Sequence, residues 1–149
     1  MAITQALPNT FKKQLLDGDH DFSVAGASPT AGDVFKLALY VSTATLGAAT
    51  TSYTTGGEVS SSGTGYTTGG KALVNSGTSL VSTVAFTDFA DLSFQSVTLT
   101  ARGCLIYNTS FSNSAVAVLN FGADKTATAG TFTIQFPAFT SSAAIIRIS

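Results

Sequence analysis

The sequence predicts an all-β protein: an antiparallel β-sandwich, jelly-roll-like or Ig-like, with a short N-terminal helix and a long Gly/Ser/Thr arm. Three observations carry this. Apolar and polar residues alternate with period two in short stretches rich in Val, Ile, Phe and Thr. Turn-forming Gly and Asn separate those stretches. Only one segment carries helical spacing. A chain of 149 residues is expected to form one domain, 1–149. Such a domain buries about 70% of its unfolded surface, enough for a core without metals or disulfides.

The helical segment comes first, in a predicted N-terminal arm spanning 1–18. Pro8 suits the first helical position, where its missing N–H costs nothing. Phe11 and Leu15 are four apart and share a face, with Leu7 one turn earlier. Gly18 is the predicted terminator. A helix of two to three turns is marginal alone and must dock, either on its own domain or on a neighbour.

Period two takes over after Gly32. In "VFKLALYVS", Phe35, Leu37, Leu39 and Val41 share one face, opposite Lys36, Ala38 and Tyr40, which predicts a half-buried strand. Further strands are expected at Lys71–Val74, Leu80–Phe89, Phe94–Thr100, Cys104–Asn108, Ala115–Phe121, Thr131–Phe136 and Ala144–Ile148. The turns expected between them are Asn75-Ser76-Gly77, Arg102-Gly103, Asn113-Ser114 and 122–130. Pro137 lacks a ladder donor and ends the strand before it.

The pentapeptide YTTGG occurs twice, at 53–57 and 66–70, with Ser, Thr and Gly dominating the interval. Two copies are too few for a solenoid. The Gly-Gly pairs suit positive-φ turns, and Tyr-Thr-Thr suits extended chain. Residues 50–70 are therefore expected to form an extended loop or arm, with Tyr53 facing Tyr66 across a hairpin. An arm with little core of its own needs a partner surface.

Composition narrows the function. Only 10% of residues are charged, against a usual level of about 25%. Few ions need desolvating, which favours packing against a neighbour. The net charge is −1 and the basic residues are scattered, so nucleic acid is not an expected ligand. No apolar run approaches the ~18–20 residues that span a bilayer, so no membrane partner is expected, and the first residues do not read as a signal peptide. Cys104 is the sole cysteine and reads as a buried thiol.

Catalytic signatures are missing. The single histidine lies in "DGDHDF", 17–22, whose alternating carboxylates partly match a calcium loop. The glycine and the closing glutamate of such a loop are absent, so a solvated helix-end loop is the simpler reading. There is no GxSxG elbow, no Walker motif and no GxGxxG between strand and helix. No catalytic residue, cofactor or metal is assigned. Asn108-Thr109-Ser110 matches a glycosylation sequon, read as accidental. What remains is protein-binding surface. The partner-contact candidates are Leu7, Phe11 and Leu15 on the helix and Tyr53 and Tyr66 in the arm.

Four stretches, "MAITQALPNTFKKQLLDGDHDF", "FKLALYVSTATLGAATTSYTTGGEVSSSGTGYTTGGKAL", "TDFADLSFQSVTLTARGCLIYN" and "AVAVLNFGADKTATAGTFTIQFP", make up 106 of the 149 residues. Together they resemble a family of small virion proteins of tailed bacteriophages and prophages. The resemblance implies a non-enzymatic structural protein, made in the host cytoplasm and located in the virion. It implies a capsid decoration (cement) protein that binds the major capsid protein, as a homo-oligomer with a trimer favoured. The alternative is a tail, baseplate or fibre component, including a host-binding module.

Overall fold

The structure, a computed structural model, describes residues 2–24 and 32–149. One helix and seven strands are present among them: α1 (Asn9–Asp17), β1 (Phe35–Tyr40), β2 (Lys71–Ala72), β3 (Asn75–Val81), β4 (Val84–Phe89), β5 (Leu92–Asn108), β6 (Ser114–Ile134) and β7 (Ile146–Ile148). Every strand pairing is antiparallel. The strands form two sheets, ordered β2-β1-β5-β6 and β3-β4-β7.

Helix α1 ends as its sequence dictates. Gly18 adopts φ 81°. Its N–H reaches Leu15 O, and the next N–H, of Asp19, reaches Gln14 O at 2.9 Å. These two bonds satisfy the last carbonyls of the helix in a Schellman motif. Pro8 sits at the N-cap, one residue earlier than expected. The helix docks on its own domain: Phe11 is 0% exposed, and Leu7 and Leu15 pack half-buried against the same core.

A single apolar cluster joins the two sheets. Phe35, Leu37 and Leu39 of β1, Ile106 of β5 and Val116 of β6 share it with Phe89 of β4 and Ile146 of β7. Phe22 stacks on Phe35 with ring centroids 4.6 Å apart at its centre. Strand β1 departs from the half-buried expectation, because Ala38 and Tyr40 on its second face are also fully buried. Two stretches without regular structure explain this. Residues 2–6 bond to Leu46 and Val118, and the chain around 44–58 closes over Leu105, Tyr107, Ala115 and Val118.

The longest strands correct two expected turns. Arg102-Gly103 and 122–130 lie inside one long hairpin of β5 and β6. The turn signals are real but mark bulges. Between the pairs Ala101↔Lys125 and Gly103↔Asn120, Arg102 alone faces residues 121–124. Gly122 takes φ 79° there, and Arg102 Nε bonds Asp124 Oδ1 at 2.7 Å across the distortion. Likewise Asn75-Ser76-Gly77 forms a bulge in β3. Conversely, the stretch expected as one strand, Leu80–Phe89, is a hairpin. Val81 pairs Val84 around Ser82 and Thr83, and Ser82 carries φ 54° without a glycine to announce it.

Candidate functional site

The repeated pentapeptides converge on one carboxylate. Glu58 is the sole charged residue in 37–70. Tyr53 donates its hydroxyl to Glu58 Oε2 at 2.6 Å, and Tyr66 donates to Oε1 at 2.7 Å. The Gly69 N–H donates to the same Oε1 at 2.7 Å. The remaining two tyrosines of the chain complete the cluster. Tyr107 stacks on Tyr53 with centroids 4.7 Å apart and donates to Gly69 O at 2.7 Å. Tyr40 donates to Thr54 O at 2.5 Å. The Tyr66 hydroxyl also accepts the Leu39 N–H at 3.0 Å, which ties the cluster to β1.

Each copy of the repeat supplies the same parts. Its tyrosine reaches Glu58, and its last glycine permits a close approach, of Gly70 to β1 and of Gly57 to Ala44 outside the strands. Gly70 has φ 71°, and a Cβ there would stand 1.8 Å from Leu37 O. Gly57 has φ 78°, and its Cβ would stand 2.6 Å from Ala44 Cβ. The main chain is stitched down as well: Val41 N–H bonds Gly57 O, and Val59 N–H bonds Leu39 O, both at 2.9 Å. This places 57–59 along the edge of β1 that β2 uses further on. Tyr53 and Tyr66 therefore meet through a shared carboxylate, with no strand pairing between them.

Burial pushes the phenols of Tyr40, Tyr53, Tyr66 and Tyr107 above their ordinary value, and the nearby Glu58 adds to each shift. They remain protonated donors through neutral pH. The cluster is a set of matched donors and acceptors that fixes a long loop.

The sequence candidates are distributed as follows. Phe11 and Tyr66, 0% and 3% exposed, fill this chain's own core. Tyr53 is half-buried in the cluster, and Leu7 is half-buried against the core. Leu15 lines an apolar groove with Phe22, Ala85, Ile146 and Ile148, beside Leu16, which is 90% exposed. The register continues this surface across the smaller sheet: Leu80, Ala85 and Ile148 stand in one row, with Leu80 68% exposed. Sequence reasoning did not single out Glu58, Leu80 or Ile148. The isolation of Glu58 in an uncharged stretch was the available signal for the first.

The 17–22 loop does not gather its carboxylates. Asp17 pairs with Lys13 on the helix, and Asp21 Oδ1 accepts the Ser23 N–H at 2.9 Å. His20 turns inward among Phe11, Phe22, Phe35 and Phe111. Among the described residues, no group of three or more His, Cys, Asp or Glu is placed to hold a metal ion. Cys104 is buried, which pushes its thiol pKa up and leaves it unreactive. Asn108, the sequon residue, is 0% exposed. No helix among the described residues is long and apolar enough to cross a membrane. Compared with protein families, characterised proteins and solved structures, the chain matches none.

Proposed function

We propose that this chain is a non-enzymatic structural protein of a tailed-bacteriophage virion, a capsid decoration protein that binds the assembled shell of major capsid protein. In this reading the two sheets work as a jelly-roll-like or Ig-like sandwich, a stiff block that brings its apolar face to the shell. The observation that carries the reading is the exposed aliphatic row of the smaller sheet, Leu80 beside Ala85 and Ile148, which runs into the groove lined by Leu15. Contiguous exposed apolar surface marks a site of association. Only 15 of 149 residues are charged, so docking there desolvates few ions. The resemblance to small virion proteins gives the partner its identity.

The mechanism is mass action. A protein that binds only the assembled shell stabilises it by RT ln(1 + [L]/Kd). A homotrimer multiplies weak contacts through effective concentration. Quantitative gel analysis of purified virions tests the reading. Hundreds of copies per particle are expected. A count near a dozen would move the protein to the tail, baseplate or fibre, and its absence from particles would remove the virion role.

A further inference from the structure

His20 lies in a hydrogen-bond chain with a fixed direction. Asn108 Nδ2 donates to His20 Nδ1 at 2.9 Å, and His20 Nε2 donates to Gln14 Oε1 at 3.1 Å. Gln14 Nε2 then reaches Ser114 Oγ at 3.4 Å. The chain runs from the end of β5 through the imidazole to α1 and back to the start of β6. It requires a neutral ring with its proton on Nε2.

Asn108 cannot turn over to suit a charged ring. Its Oδ1 accepts the Ser110 and Phe111 N–H groups at 2.9 and 3.1 Å, and its Nδ2 also donates to Asp33 Oδ2 at 2.7 Å. Reversing the amide would set its NH₂ against two N–H groups and its oxygen against a carboxylate. A proton on His20 Nδ1 would therefore face an N–H donor with no rearrangement available. We propose that His20 is a pH-sensitive latch for the N-terminal helix: α1 stays docked while the imidazole is neutral, and protonation releases α1 and residues 18–22 from the sheets.

The groups facing His20 oppose one another. Phe11 from α1, Phe22 from the loop, Phe35 from β1 and Phe111 from the β5–β6 turn exclude water. The carboxylates of Asp33 and Asp19 favour the charged ring. Burial is the larger influence and holds the His20 pKa below its ordinary value. The sign follows. The docked state binds fewer protons than the released state, so opening grows as pH falls below about 6.5. It levels off once the docked imidazole itself titrates. This inference is independent of the virion role.

The test is amide hydrogen exchange on the full chain between about pH 7.5 and 4.5, with the His20 ring followed by NMR. Corrected for intrinsic exchange, the opening constant of residues 11–16 should rise by up to about tenfold per pH unit below about 6.5. The central amides of β5 and β6 should hold their protection. His20→Gln, which keeps polar groups but does not titrate, should show a pH-independent helix. A wild-type helix that stays closed to about pH 4.5 would overturn the proposal, and so would equal opening in H20Q, which would assign the effect to carboxylates. If H20Q does not fold, the wild-type series decides alone: opening must begin near about pH 6.5 and leave β5 and β6 protected.

Discussion

Removing the Glu58 carboxylate is the sharpest perturbation of this fold. In Glu58→Ala the hydroxyls of Tyr53 and Tyr66 and the N–H of Gly69 lose their acceptor together. Tyr66 is almost wholly buried and water cannot replace the carboxylate there. A hydrogen bond to a charged acceptor is worth roughly 1.5–3 kcal/mol, and an orphaned buried donor costs about 1–3. Tyr53 is half-buried and recovers part of its loss from solvent. The total is about 3–5 kcal/mol, or a fall of roughly 10 °C in Tm for a domain of this size. Glu58→Gln keeps one acceptor oxygen for Tyr66 and Gly69 and should lose less than half as much. Urea and thermal unfolding of the three proteins provide the measurement, with Tyr66→Phe completing a double-mutant cycle. If E58A fell within about 1 kcal/mol of wild type, or matched E58Q, Tyr53 and Tyr66 would not form an energetic lock on Glu58 and the reading of the repeat would fail.

Three more outcomes are expected. Gly63 and Gly70 share φ 71°, but only Gly70 has a neighbour in the way, Leu37 O at 1.8 Å from a Cβ. Gly63→Ala should cost about 1 kcal/mol, and Gly70→Ala more than about 3, by urea unfolding. Phe11→Ala should cost about 3–5 kcal/mol, because the ring lies in the common core; a change under about 1 would place the helix outside the domain. Asp88 is buried with Oδ2 unpartnered among the described residues, and burial raises its pKa despite the N–H groups of Phe89 and Ile145. The folded state therefore binds the proton more tightly than the unfolded one. Stability should fall as pH rises from about 3.9 to the folded pKa, and Asp88→Asn should flatten that slope in a melting series.

The strand regions around Phe35–Tyr40, Val84–Phe89, Phe94–Thr100, Cys104–Asn108 and Ala115–Phe121 were legible because period two or β-branched and aromatic content survives in them. The helix was legible from Pro8, Phe11, Leu15 and Gly18. Turn positions were less so, for a physical reason. Glycine relieves a bulge as readily as it makes a turn, so Gly77, Gly103 and Gly122 signalled distortion without saying that pairing continues through it. Ser82, with positive φ and no glycine, gave no signal at all. The second buried face of β1 was hidden because its cover comes from residues 2–6 and 44–58, which have no strand pattern. The repeat was visible as a repeat. Its purpose was not, since Tyr53 and Tyr66 are joined through Glu58, a residue outside both copies. The apolar row of Leu80, Ala85 and Ile148 exists only across three strands and cannot be read along one.

Direct titration of the purified protein onto assembled phage heads that lack it measures the central claim. The account predicts saturable binding at a fixed ratio to major capsid subunits, with a rise in the melting temperature of the shell. It also predicts that Leu80→Asp with Ile148→Asp abolishes both effects while the fold persists. A folded protein that sediments apart from the heads at every concentration, leaving their melting unchanged, would contradict it.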